Sequence, residues 1–109
     1  MPYILIADSS EDVAQLVSVA LVQRGFATEI RVRGEEPFRE PDVLVLDAGL
    51  RDAAGLIDEL RARTPTLPVV ATGSRSLDGE RPPLGALAYL VQPFSLTDLV
   101  TAVRAAAPT

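Results

Sequence analysis

Asp42-Val43-Leu44-Val45-Leu46-Asp47 decides the fold. Four consecutive branched apolar residues without alternation read as a strand buried on both faces, the pattern of a parallel sheet covered by helices on each side. Pro41-Asp42 opens the run and Asp47 closes it, ahead of the loose stretch Ala48-Gly49-Leu50-Arg51. A charge at the carboxyl end of a central strand has no packing use. That end is where ligands bind in open α/β sheets.

Working outward, Tyr3-Ile4-Leu5-Ile6-Ala7 is a similar strand, ending on Asp8. Ser9-Ser10-Glu11-Asp12 then opens a helix. Either serine can N-cap it, and Ser9 with Asp12 has capping-box spacing. Val13, Leu16, Val17, Ala20 and Leu21 form its apolar stripe, and Gly25 fits a terminator. Phe26 to Val32 alternates as a second strand. The next stretch, 33–41, carries two prolines and leaves room for one helical turn at most.

Beyond Asp47, Ala53 to Arg63 reads as a helix with Leu56, Ile57 and Leu60 inward. Gly55 near its start predicts a close approach to the loop after Asp47. Leu67 to Thr72 is a fourth strand. Asp78-Gly79 and Pro82-Pro83 break any long helix over 73–84. Gly85 to Val91 is a fifth strand. Ser95 caps a last helix whose stripe is Leu96, Leu99, Val100 and Val103, with about 105–109 as a tail or the start of a linker. Strands alternating with helical or loop crossovers predict one α/β domain over 1–109, a parallel sheet covered on both faces.

Composition narrows the chemistry. The chain has 109 residues and a net charge of −5, which argues against a nucleic-acid or membrane-surface role. No apolar run approaches the ~20 residues of a membrane span. No basic region precedes the first strand, so the expected location is cytoplasmic. There is no Cys and no His, which excludes thiol chemistry, Cys/His zinc sites and Ser-His-Asp triads. All 10 basic residues are Arg, so no site here can use an ammonium side chain.

Carboxyl ends of parallel strands share one rim. Asp8, Ser9, Asp47, Thr72 and Gln92 fall on it. In the doubly wound, flavodoxin-like strand order 2-1-3-4-5, Asp8 and Asp47 meet at the topological switch point. Two carboxylates and open carbonyls suit Mg²⁺, which takes a couple of carboxylates together with waters and phosphate. A flavin- or nucleotide-binding protein of this architecture would need a phosphate-cradling loop after the first strand. Asp8 to Asp12 instead has three acids and no Gly.

These elements resemble the response-regulator receiver domain of two-component phosphorelay signalling over nearly the whole chain. Ile4 to Ser9 matches its acidic element, Asp42 to Asp47 with Gly55 its phosphoacceptor strand, Pro68 to Gly73 its hydroxyl strand, and Gly85 through Pro93-Phe94-Ser95 its last strand and turn. The resemblance implies a non-enzymatic signalling module with Asp47 as phosphoacceptor. Mg²⁺ would be held by Asp8, Asp47 and the Gly49 carbonyl. Thr72 would bond the phosphoryl group, and Tyr89 would be the switch aromatic. It further implies a sensor histidine kinase or other signalling protein as partner, with an effector domain or a homodimer behind it.

The chain departs from that family at several points. The second acidic position is Ser9, a weak metal ligand. The family's Lys is Gln92, and Arg51 stands where Pro is usual. The second and fourth helices are expected to be shortened or irregular. These departures favour an atypical receiver that signals by protein contact, with phosphorylation at Asp47 weakened or absent. The alternative is a fully functional Mg²⁺-dependent receiver.

Overall fold

The computed structural model describes residues 1–108. Five parallel strands run in the order β2-β1-β3-β4-β5. They are β1 (Tyr3–Ala7), β2 (Ala27–Ile30), β3 (Val43–Asp47), β4 (Val69–Gly73) and β5 (Ala88–Val91). Three helices accompany them: α1 (Glu11–Gln23), α2 (Ala53–Arg61) and α3 (Leu96–Ala106).

The non-alternating apolar runs supply both faces at once. Ile4, Ile6, Val43, Val45 and Val70 pack with α1 and α3, while Leu5, Leu44, Leu46, Val69 and Ala71 pack with α2. Successive residues of a strand point to opposite faces, so each of these runs serves two cores.

Several boundaries differ from expectation. In α1 the buried side chains are Ala14, Val17, Ala20 and Leu21, and Leu16 is 60% exposed. The buried arc is centred on Ala14, Val17 and Leu21, at i, i+3 and i+7, and Leu16 falls outside it. Leu96 of α3 is likewise exposed. β2 stops at Ile30 because its pairing with β1 reaches only Ile6↔Ile30, leaving Val32 exposed. β5 starts at Ala88, three residues later than expected. Pro83–Gly85 forms a 3₁₀ turn instead, with Leu84 and Gly85 at positive φ. α3 continues to Ala106, so the expected tail begins at 107; Thr109 lies outside the described residues.

No helix spans β2 to β3, and only the 3₁₀ turn lies between β4 and β5. The 33–41 crossover is pinned by side chains. The Phe38 amide donates to the Glu29 carboxylate at 3.0 Å, and the Tyr3 hydroxyl donates to the same group. The Arg39 guanidinium lies 4.7 Å over the Tyr3 ring. Loss of water and the Glu29 charge push the Tyr3 hydroxyl up to about 12. The proton on Tyr3 therefore contributes stability that is complete below its ordinary value of 10.0 and is lost as pH rises through about 12. Ultraviolet titration should resolve one tyrosine ionising near that value, and Glu29→Gln should lower it.

Candidate functional site

The rim expected at the strand carboxyl ends is present. Ala7 pairs with Leu46 and Asp47 pairs with Thr72, so Asp8, Asp47 and Thr72 come off three adjacent strands. Gln92 follows β5, its backbone amide donating to the Gly73 carbonyl at 2.6 Å, and the Gln92–Pro93 bond is cis. Asp47 is 9% exposed and Thr72 is 2% exposed.

Both oxygens of Asp47 are engaged. Oδ2 accepts from the Ser9 hydroxyl at 2.6 Å and from the Ser9 amide at 3.3 Å. Oδ1 accepts from the Gly49 amide at 2.8 Å. Asp8 turns instead to its own helix, accepting from the Ser10 amide at 2.8 Å. The ambiguity of the two serines is resolved here. Ser10 is the N-cap, accepting from Val13, which frees the Ser9 hydroxyl for the site.

Lost water pushes the Asp8 carboxyl above its ordinary 3.8; the Ser10 amide opposes the rise and the Asp47 charge adds to it. A raised carboxyl binds its proton more tightly folded than unfolded, so ionised Asp8 costs stability as pH rises above its ordinary value.

The Thr72 hydroxyl is buried with no hydrogen-bond partner, an arrangement that costs about 1–3 kcal/mol. Tyr89 lies across Gly73, donating to the Arg75 carbonyl at 2.8 Å. A Cβ at position 73 would stand on the Tyr89 hydroxyl. At the start of α2, a Cβ on Gly55 would come 2.5 Å from the Asp52 carboxylate, so the expected close approach is to that residue. The ion pairs among the described residues are Arg63–Glu36 and Arg75–Glu80, so Arg75 faces Glu80 and Asp47 pairs with no cation there.

Mg²⁺, which the resemblance implies, needs lone pairs directed at it. Ser9 fills both lone pairs of Asp47 Oδ2, while Asp47 Oδ1 and Asp8 Oδ1 each accept one amide and keep a lone pair free. No group of three or more His, Cys, Asp or Glu suited to a metal occurs among the described residues. With Ser9 on Asp47 Oδ2 and no second acid beside Asp8, the remaining oxygens make a weak donor set for the ion.

Fold and rim together define a receiver-type signalling domain. The chain is 33% identical over 109 residues to the transcriptional regulatory protein CreB of Escherichia coli, covering 91% of this chain and 48% of that protein. It is 33% identical over 114 residues to the transcriptional regulatory protein PrrA of Mycobacterium tuberculosis, covering 95% and 49%. The chain thus spans about half the length of these relatives. The receiver domain of a Francisella response regulator superposes with a TM-score of 0.79 at 26% identity, covering 97% of this chain and 96% of that one. No family model matches. The chain belongs to the receiver domains of response regulators.

The hydroxyl clamp on Asp47 is the feature that sequence reasoning missed. Its signal was the Ser9-Ser10 pair, of which only one residue can cap the helix.

Proposed function

We propose that this receiver signals through protein–protein contact, with phosphorylation at Asp47 weakened or absent. The state of the Asp47 carboxylate carries the reading: Ser9 and Gly49 hold both of its oxygens, and no cation pairs with it among the described residues. A phosphoryl group adds negative charge, here beside Asp8. The chain has no Lys to meet it, and Gln92 stands where the family's Lys would be. The missing charge-assisted hydrogen bond is worth about 1.5–3 kcal/mol.

Such a domain acts as an interaction module and not as an enzyme. Its partner is a sensor histidine kinase or another signalling protein, and its output passes through an effector domain or a second copy of the chain. The double-length transcriptional regulatory relatives support an effector. Contact of Asp8, Asp47 and the Gly49 carbonyl with Mg²⁺ is weak in this reading.

The unpartnered Thr72 hydroxyl, in register with Asp47, favours a second reading, a working phosphoacceptor. There an Asp47 oxygen attacks the phosphorus of a phosphohistidine. The new O–P bond forms as the P–N bond breaks, and the imidazole keeps the electron pair. Thr72 then donates to a phosphoryl oxygen. Incubation with acetyl phosphate and Mg²⁺, followed by intact-mass analysis, separates the two. The proposal expects little or no phosphoryl adduct. A near-stoichiometric adduct that Asp47→Asn abolishes would establish the second reading.

A further inference from the structure

Asp47 is a nearly buried carboxylate whose neighbouring strand end carries a second one, Asp8. A buried charge must be paired or hydrogen-bonded. No cation pairs with Asp47 among the described residues, so dipoles do the work. The Ser9 hydroxyl is the one side-chain donor it receives, at 2.6 Å, and the Ser9 amide points at the same oxygen from 3.3 Å. Ser9 itself is exposed. Its hydroxyl has water for an alternative, and it is not needed for the helix cap, which Ser10 supplies. Its position on Asp47 therefore calls for its own account.

We propose that Ser9 is a positioning residue whose hydroxyl clamps Asp47 Oδ2 in place of a divalent cation. The clamp orients the carboxylate and offsets its charge with a dipole. It also occupies the lone pair that a cation would use. The Gly49 amide fixes the other oxygen at 2.8 Å. A cation on Asp47 Oδ2 has to displace the hydroxyl, and Ser9 offers it no carboxylate in return. The domain consequently keeps its acidic centre in the clamped arrangement through the millimolar range of Mg²⁺. This rests on Asp47 being the centre of a receiver site.

The test avoids phosphorylation altogether. ¹⁵N-labelled wild type, Ser9→Asp, Ser9→Thr and Ser9→Ala are titrated with Mg²⁺ alone, following the Gly49 amide, which reports on Asp47 Oδ1. Wild type and Ser9→Thr, which keeps the hydroxyl, should stay flat through the millimolar range. Ser9→Asp should give a saturating shift, with affinity at least about tenfold higher, a change of the size that ligand-shell substitutions produce. Saturation of wild type at the same Mg²⁺ concentration as Ser9→Asp overturns the proposal.

A thermal-melting cycle of Ser9→Ala against Asp47→Asn adds a metal-free readout. The clamp predicts that Ser9→Ala lowers the melting temperature by a few degrees in the Asp47 background and much less in the Asn background. Equal effects in both backgrounds, the result for a residue serving only the helix start, also overturn it. If Ser9→Ala does not fold, the magnesium titration of the other three proteins decides alone.

Discussion

Gln92→Lys is expected to raise the extent of Asp47 phosphorylation by acetyl phosphate by roughly one to two orders of magnitude, the factor given by a charge-assisted hydrogen bond of about 1.5–3 kcal/mol. The position is suited to it. The Gln92 backbone amide is fixed to the Gly73 carbonyl at 2.6 Å, and Thr72 pairs with Leu90 in β5. A side chain at 92 thus leaves the sheet at the rim shared by Thr72 and Asp47. An ammonium there would supply the charge that the chain lacks altogether. Gln92→Met serves as the neutral control, and the phosphorylated fraction by intact mass is the measurement. If Lys and Met behave alike, the missing cation is not what limits Asp47.

The largest effect on stability is expected from Leu44→Ala. Leu44 is fully buried at the centre of the sheet, with β1 on one side and β4 on the other. Its removal leaves a cavity in the face covered by α2, where Leu46, Leu56 and Ile57 pack with it. Such truncations cost about 2–5 kcal/mol, against a total of ~5–15 kcal/mol for a domain of this kind. The melting temperature should fall by on the order of ten degrees or more. Leu16→Ala is the informative contrast. Sequence periodicity placed Leu16 in the core, but the side chain is 60% exposed, so its loss should stay within about 0.5 kcal/mol. Chemical denaturation of the two variants side by side checks both numbers.

The sheet was legible because its signal is local and strong. Runs such as Val43 to Leu46 can only be satisfied by burial on two faces, and that requirement fixes a parallel sheet with helices on both sides. The flavodoxin-like order 2-1-3-4-5 was the expectation, and the observed order β2-β1-β3-β4-β5 bears it out. Edges were harder to read. Where β2 ends depends on how far β1 extends beside it, and where β5 begins depends on the positive φ at Leu84 and Gly85. Neither is a property of the segment itself.

The candidate site divides in the same way. Positions along the rim were read correctly from strand ends, since a residue that ends a parallel strand has one place to go. Hydrogen-bond partners were not. Ser9 and Ser10 are the same residue type side by side, and the choice of cap turns on backbone geometry that no pattern records. Thr72 without a partner and Tyr89 laid over Gly73 are likewise facts of three-dimensional neighbourhood.

In the function proposed for this receiver, Asp47 keeps the position of a phosphoacceptor while its surroundings weaken or abolish phosphorylation. Beryllofluoride, which mimics that group, tests it most directly. With Mg²⁺ and beryllofluoride at millimolar concentration, the amide resonances of Ser9, Gly49 and Thr72 should remain where they are in the free protein, matching the Asp47→Asn control. A saturating, stoichiometric shift of these amides in wild type, absent from Asp47→Asn, would contradict the account.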